Sequence, residues 1–346
     1  MRNSSLYLYF IMALLSLFAA GWFFPGWHSS DALPAPPSAV VEKEETEIVC
    51  NNRKHADWRN QYQIEGVTIE PSPVCEPDNP YQIAAFVKGT NQLSMESLMQ
   101  TELAQDAVIK GRDLDGDGDP DEIHIKLEII ELNGSSPDGD FVYPTYPIAP
   151  GIQPGLWVFA PKTRGMSIRN AKNNEAIRTL RAPSPVIRVE QGDRIKITVE
   201  NTHYFPHSLH MHGVDHPARD AEGNPNDGVS LSGEKPIMPG ESHTYSLSPR
   251  QAGTMFYHCH VQTDKHLTMG LNGMFVVEEN RPRNWLQTFN VGAGYVRRSS
   301  VAVTEHYDRE YDLHYQALDK TLGQAIQQAN DPRLIAKAMN RAYNMT

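Results

Sequence analysis

At 346 residues the chain is long enough for one to three domains and for a sizeable buried core. A formal net charge of −11 and a pI near 5.7, with no basic stripe carrying interleaved aromatics, argue against non-specific nucleic-acid binding. Charge says nothing further about the fold.

In chain order, the opening MRNSSLYLYFIMALLSLFAAGWFFPGW sets Arg2 before an apolar run from Leu6 to Phe24, about the 20 residues that a bilayer span takes. Residues 1–27 read as an export signal or a membrane anchor. Small residues that suit cleavage stand inside the run (Ala19, Gly21) and just beyond it (Ser30, Ala32). The protein is therefore expected in a periplasm or on an extracellular face, held to the membrane if the segment is retained. Residues 28–48, rich in Pro, Ser and Glu, read as a linker. Of three cysteines, Cys50 and Cys75 could close a loop in an oxidising compartment, which leaves Cys259 as the odd thiol.

Residues 49–152 read as an N-terminal β-rich extension with one sharp feature, RDLDGDGDPDEI. Asp113, Asp115 and Asp117 alternate before Gly118, and Asp121 follows. Oxygen ligands at every second residue around a glycine turn suit Ca²⁺, although His124 stands where an EF-hand loop places its bidentate Glu. The feature reads as a structural calcium loop or as a solvated acidic turn.

From about 155 to 280, short alternating runs separated by Pro/Gly turns predict a β-sandwich. VIRVE and RIKITVE flank a Gly-Asp turn, and SHTYSLS, TMFYHCHV and GMFVVEE follow. The domain is placed at 153–281, and the tail at 282–346 is expected to carry helices, with Asp331-Pro332 as a helix start.

Nine of the 14 histidines lie between 203 and 266, too dense for a sandwich with incidental imidazoles. Side chains alternate faces along a strand. In HSLHMHG, His210 and His212 share a face and His207 has the opposite parity; in YHCHV, His258 and His260 share a face and Cys259 opposes them. Two sites are implied. His207, Cys259 and His266 make a two-nitrogen, one-thiolate set typical of blue copper, with Leu271 or Met269 as axial candidates, and His210, His212, His258 and His260 make an all-imidazole set suited to copper. His203, His216 and His243 are expected at the surface or behind the ligands.

HSLHMHG and HCHVQTDKHLTMGLNG resemble the two C-terminal copper motifs of multicopper oxidases, small two-domain laccases in particular. The resemblance covers roughly residues 180–280. It implies a mainly β fold, a Greek-key cupredoxin β-sandwich, with type 1 copper on His207, Cys259 and His266, type 2 copper on His210, and a type 3 pair on His212, His258 and His260. It also implies a small-molecule or protein electron donor, O₂ as acceptor, and for Asp227 in NPNDGVS a proton-relay role. A plain Asp-Gly turn is the other reading of Asp227.

Two departures matter. Five residues, VQTDK, separate His260 from His266 where the family usually has three. A complete trinuclear cluster takes eight histidines in four HxH pairs, and this chain offers two, His55 and His124 being isolated. A homo-oligomer could supply the missing half across its interface. The expectation is an exported multicopper-oxidase-type oxidoreductase. The rival is a non-enzymatic cupredoxin that carries electrons or binds copper.

Overall fold

The computed structural model describes residues 58–59, 62–64, 67–69, 72–73, 80–99, 101, 103–132, 147–164, 182–290, 312–329 and 332–342. The N-terminal apolar run, the linker, the Cys50 and Cys75 pair, His55 and His306 lie outside the described residues. No helix among the described residues is long and apolar enough to cross a membrane.

Four short strands open the described chain: β1 (Trp58–Arg59) pairs with β4 (Ser72–Pro73), and β2 (Tyr62–Ile64) with β3 (Val67–Ile69). Helices α1 (Pro80–Lys88) and α2 (Met95–Met99) follow. The body is a two-sheet β-sandwich. One sheet is built on β6 (Glu122–Leu132), whose first half pairs with β5 (Val108–Lys110) and whose second half pairs with β7 (Leu156–Pro161). The other edge of β6 runs parallel to β9 (Arg194–Asn201), which pairs with β11 (Ser242–Leu247). The second sheet has the order β10 (His210–His212), β12 (Gly253–His258), β13 (Asn272–Glu278), β8 (Val186–Glu190) and β14 (Phe289–Asn290).

The pattern of β6 accounts for its place. Ile123, Ile125, Leu127 and Ile129 point into the core while Glu122, His124, Lys126 and Glu128 alternate outward. They meet Ile187, Val189, Phe275 and Tyr257 of the facing sheet in one hydrophobic cluster. Residues 108–132, read from sequence as part of a separate extension, therefore supply strands of the sandwich itself. A pattern read one strand at a time cannot register the parallel pairing of β6 with β9, 72 positions further along the chain.

VIRVE, one of the alternating runs in the sequence, is buried throughout as β8, which lies between β13 and β14 in its sheet. Arg188 tolerates this position by pairing with Glu278 at 3.0 Å and Asp312 at 2.5 Å. Two further features depart from the simple strand reading. β12 ends at His258, and the segment bearing His266 forms a short helix, α3 (Thr263–Thr268). In the tail, α4 (Lys320–Ala329) and α5 (Pro332–Ala342) are helices, but residues 312–319 precede them without helix, so His314 is not helical.

Candidate metal centre

The thiolate set forms at one end of the sandwich. His207 precedes β10, Cys259 follows β12, and α3 carries His266 back towards both. The three side chains are 0%, 0% and 2% exposed. His207 Nδ1 lies 3.2 Å from His266 Nδ1, Cys259 Sγ lies 3.6 Å from His207 Nδ1, and Cys259 Sγ lies 3.3 Å from His266 Nδ1. Metal bonds of about 2.0–2.3 Å at trigonal angles require donor separations of roughly 3.5 Å. The donors present thus fit a small, thiophilic metal ion.

Burial sets the protonation of these three side chains. It pushes the Cys259 thiol up to about 11 and drives the His266 imidazole down to about 3, and His207 falls well below the usual range from burial and its imidazole neighbours. Both imidazoles are neutral with lone pairs free to donate, and the thiol would have to give up its proton to bind a metal. Leu271 and Met269, the axial candidates, are both buried. Their backbones brace the loop: Cys259 N donates to Leu271 O at 3.0 Å and Trp157 N to Met269 O at 2.8 Å. Gly270, with φ +117°, fits between them because a Cβ there would stand 2.5 Å from Trp157 O.

Behind His207 stands a partner that sequence reading left undecided. His203 Nδ1 lies 2.8 Å from His207 Nε2, and its own Nε2 is 3.5 Å from Glu131 Oε2, which also accepts the Tyr204 hydroxyl at 2.6 Å. If His207 Nδ1 is the ligand atom, Nε2 carries the proton and donates to His203, whose remaining N–H then points at Glu131. This fixes both tautomers. Trp157 packs its ring 4.8 Å from His203 and 5.2 Å from His266. The signal for His203 was its spacing of four from His207; nothing local marks Glu131 or Trp157, which arrive on β6 and β7.

The imidazole set forms on the outer face where β10 meets β12. Register places His210 opposite His258 and His212 opposite Phe256, while Met211 and Tyr257 turn into the core. His212 Nε2 lies 3.0 Å from His258 Nε2. Ring centroids of His210 are 4.9, 5.5 and 5.1 Å from those of His212, His258 and His260, so His260 joins the group although it lies past the strand end. Burial, with His212 next, lowers His258 to about 4. His212 is exposed and His210 and His260 are half-buried, so this set opens to the surface.

Asp227 meets the imidazole set through its main chain. Its carbonyl oxygen lies 2.6 Å from His210 Nδ1, and its carboxylate accepts from Val229 N at 3.1 Å and the Ser232 hydroxyl at 2.5 Å. Gly228, at φ +72°, allows that approach: a Cβ there would lie 2.0 Å from Leu209 O. Buried Glu234 secures the same loop, accepting from Gly228 N at 2.7 Å and from the Tyr245 hydroxyl at 2.9 Å, while Tyr245 accepts from Leu209 N at 3.1 Å. Of the remaining histidines, half-buried His216 lies 6.0 Å from the His210 ring, His243 lies 3.9 Å from Glu234, and His124 faces Thr198 at 2.8 Å, away from both sets.

In the acidic loop, Asp113, Asp115 and Asp117 bring carboxylate oxygens within 4.8 Å of one another. Gly116 N and Gly118 N donate to Asp113, whereas Asp121 accepts from the Leu114 and Asp115 amides. Burial, with Asp119 and other acidic neighbours, lifts Asp117 to about 6.

Residues 169–282 match the sequence profile of the multicopper oxidase family. The chain is 36% identical over 103 residues to Laccase-19 of Oryza sativa subsp. japonica, covering 30% of this chain and 16% of that protein. It is 28% identical over 132 residues to the iron transport multicopper oxidase FET5 of Saccharomyces cerevisiae, covering 37% and 20%. Among solved structures, a multicopper oxidase from Pseudomonas thermotolerans aligns over 47% of this chain and 31% of its own, at 23% identity and a TM-score of 0.34. The chain thus spans a fifth or less of these two curated relatives.

Proposed function

We propose, from the premise that this chain is a member of the multicopper oxidase and cupredoxin superfamily, that it is an exported copper oxidoreductase taking electrons from a reductant at a type 1 site and delivering them to O₂ at a cluster completed by a second copy of the chain. Copper would supply the redox chemistry, one-electron acceptance at the thiolate set and oxygen reduction at the imidazole set. One arrangement carries the reading. Cys259, at the corner of the buried two-nitrogen, one-sulfur triangle, is bonded in sequence to His258 and His260 of the imidazole set. A single stretch of backbone therefore joins the two donor sets.

The chain's own residues divide the work. His207, Cys259 and His266 would hold a type 1 copper ion, which would exchange one electron at a time, in a dry, preformed pocket where Leu271 and Met269 share the hydrophobic cluster of Cys259. His210, His212, His258 and His260 present half of a trinuclear donor set at an open face, with His210 assigned to type 2 copper and the other three to the type 3 pair. The Asp227 carbonyl orients His210. The acidic loop of Asp113, Asp115 and Asp117 supports a structural Ca²⁺ reading, in which added Ca²⁺ raises the melting temperature of the copper-free chain.

The exposed imidazole set, with four histidines instead of eight, favours one competing reading, a cupredoxin that carries electrons. Copper loading of the full chain separates the two. The oxidase reading expects more than one copper per chain, a strong absorption near ~600 nm from the thiolate–copper bond, an oligomeric mass and O₂ uptake with a reductant. A monomer with one blue copper and no O₂ uptake overturns it in favour of the carrier.

A further inference from the structure

His266 is held differently from the other members of the thiolate set. Cys259 N is bonded to Leu271 O and His207 leans on His203, whereas among the described residues no hydrogen bond is made to His266 Nε2. The direction of this ring is therefore set largely through its backbone, in α3. The six residues Thr263–Thr268 are too few for a helix to stand alone. The helix also starts without a side-chain cap, on Gln262 in the left-handed region at φ +43°. Polar ties at its other end supply the constraint.

Those ties come from the C-terminal tail. Leu267 O, one of the carbonyls a helix leaves open in its last turn, accepts from Gly270 N at 2.9 Å, Asn272 Nδ2 at 3.0 Å and Gln316 Nε2 at 2.9 Å. Gln316 Oε1 accepts the Asn272 amide at 2.6 Å, and Asn272 Oδ1 faces His314 Nε2 at 2.7 Å. Because Oδ1 only accepts, His314 Nε2 donates. Buried Asp312 pairs with Arg188 and accepts from Asn290 Nδ2 at 2.9 Å. Residues 312, 314 and 316 thus turn inward while Leu313 and Tyr315 between them are exposed, the period of an extended strand. Asn272 lies opposite His258 in the β12–β13 ladder, so the tail meets the thiolate set where its helix joins its sheet.

We propose that residues 312–316 form a strap that fixes the direction of His266, with Gln316 and His314 as its positioning residues. With the strap in place His266 Nδ1 stands 3.3 Å from Cys259 Sγ; without it the end of α3 opens and the donor triangle loosens. The consequence for copper rests on the reading of His266 as a type 1 ligand; the hold on α3 does not.

The test is residue-resolved amide hydrogen exchange on the metal-free full-length chain. Gln316→Leu keeps most of the bulk and loses both side-chain bonds. The Gly270 and Leu271 amides, bonded to Leu267 O and His266 O, should then exchange about tenfold faster, the scale for one lost hydrogen bond, with the amides of β6 unchanged. His314→Leu should do the same, and His314→Gln, which returns a donor to Asn272 Oδ1, should restore the parent rate. Leu313→Ser and Tyr315→Ser, on the outward row, should leave it alone. Parent rates in the inward variants, no rescue by His314→Gln, or equal loosening by the outward pair overturns the strap. A Gln316→Leu chain that did not fold would leave the two His314 variants to decide. After copper loading, the inward variants that speed exchange should also shift the thiolate–copper absorption; faster exchange with an unshifted absorption overturns the positioning role. A parent chain without blue absorption refutes the copper reading instead, and the exchange result stands.

Discussion

His203 occupies the position from which a neutral side chain can set the donor strength of a metal ligand. Its contacts to His207 at 2.8 Å and towards Glu131 at 3.5 Å pull the His207 Nε2 proton away from the ring and make Nδ1 a better donor. His203→Phe keeps the packing against Trp157 and removes the polarisation. Copper should then leave the thiolate site at about ten- to a hundredfold lower chelator concentration, the range for lost partners of metal-bound histidines, and the reduction potential should rise because the oxidised ion is less well stabilised. Unaltered copper retention with an unaltered potential would reduce His203 to a packing residue. Gly228 makes a complementary case at the other donor set. Gly228→Ala combines left-handed strain of about 1–2 kcal/mol with a Cβ placed 2.0 Å from Leu209 O. The loop must move, taking the Asp227 carbonyl away from His210. The expected product is a folded protein that keeps its blue absorption and loses its other copper, and retention of both by elemental analysis and EPR would contradict the role given to that carbonyl.

Strand β6 shows how an element can serve the site and be invisible to local reading. Its outward row carries Glu128, opposite Glu200 of β9 and 3.3 Å from the Thr163 hydroxyl. Burial raises its carboxyl to about 7. In the unfolded chain the group ionises near pH 4.5, so the folded protein holds a proton that the unfolded one has lost, and stability falls as pH rises from about 4.5 to 7. Glu128→Gln removes that loss. The variant should match the parent near pH 4 and exceed it at pH 8 by roughly 1–3 kcal/mol, read from denaturant unfolding at the two pH values; equal stability at pH 8 would refute the assignment. Glu128 belongs to a row of alternating residues that sequence periodicity does suggest, and in the other sheet His210, His212, His258 and Cys259 likewise follow the strand parity that the sequence displays. Glu131, Trp157 and Met339 reach the thiolate set through pairings and packings between residues 46 to 109 positions apart, and periodicity carries no trace of those. The helix holding His266 escaped for a different reason: the six residues Thr263–Thr268 are too few for a helical repeat to register.

At the scale of the whole molecule, the two donor sets differ most in what surrounds them. The thiolate set is enclosed on every side, α5 included, and is complete within one chain. The imidazole set faces outward, and the loop whose Asp227 carbonyl reaches His210 carries Leu231, 97% exposed, four residues on. If the four imidazoles are half of a shared donor set, an exposed apolar side chain on the loop that holds His210 suits a self-complementary contact, since a twofold axis through the imidazoles would pair the HxH motifs of one copy with those of another. If copper is shared in this way, the metal contributes to the free energy of association, and the oligomer must weaken when it is removed. Sedimentation of the copper-loaded chain should therefore give a dimer or higher form that dissociates on dilution or chelation. Dilution should also remove the EPR-silent coupled pair and O₂ uptake together, while the blue absorption per chain stays constant because His207, Cys259 and His266 need no partner. Leu231→Glu should shift the dissociation to higher concentration without touching either donor set. A blue absorption that fell in parallel with the coupled pair would mean that the thiolate site also depends on the interface, against its enclosure within a single chain. An oligomer indifferent to copper and to Leu231→Glu would place the contact elsewhere and leave the imidazole set as a surface copper site of the carrier.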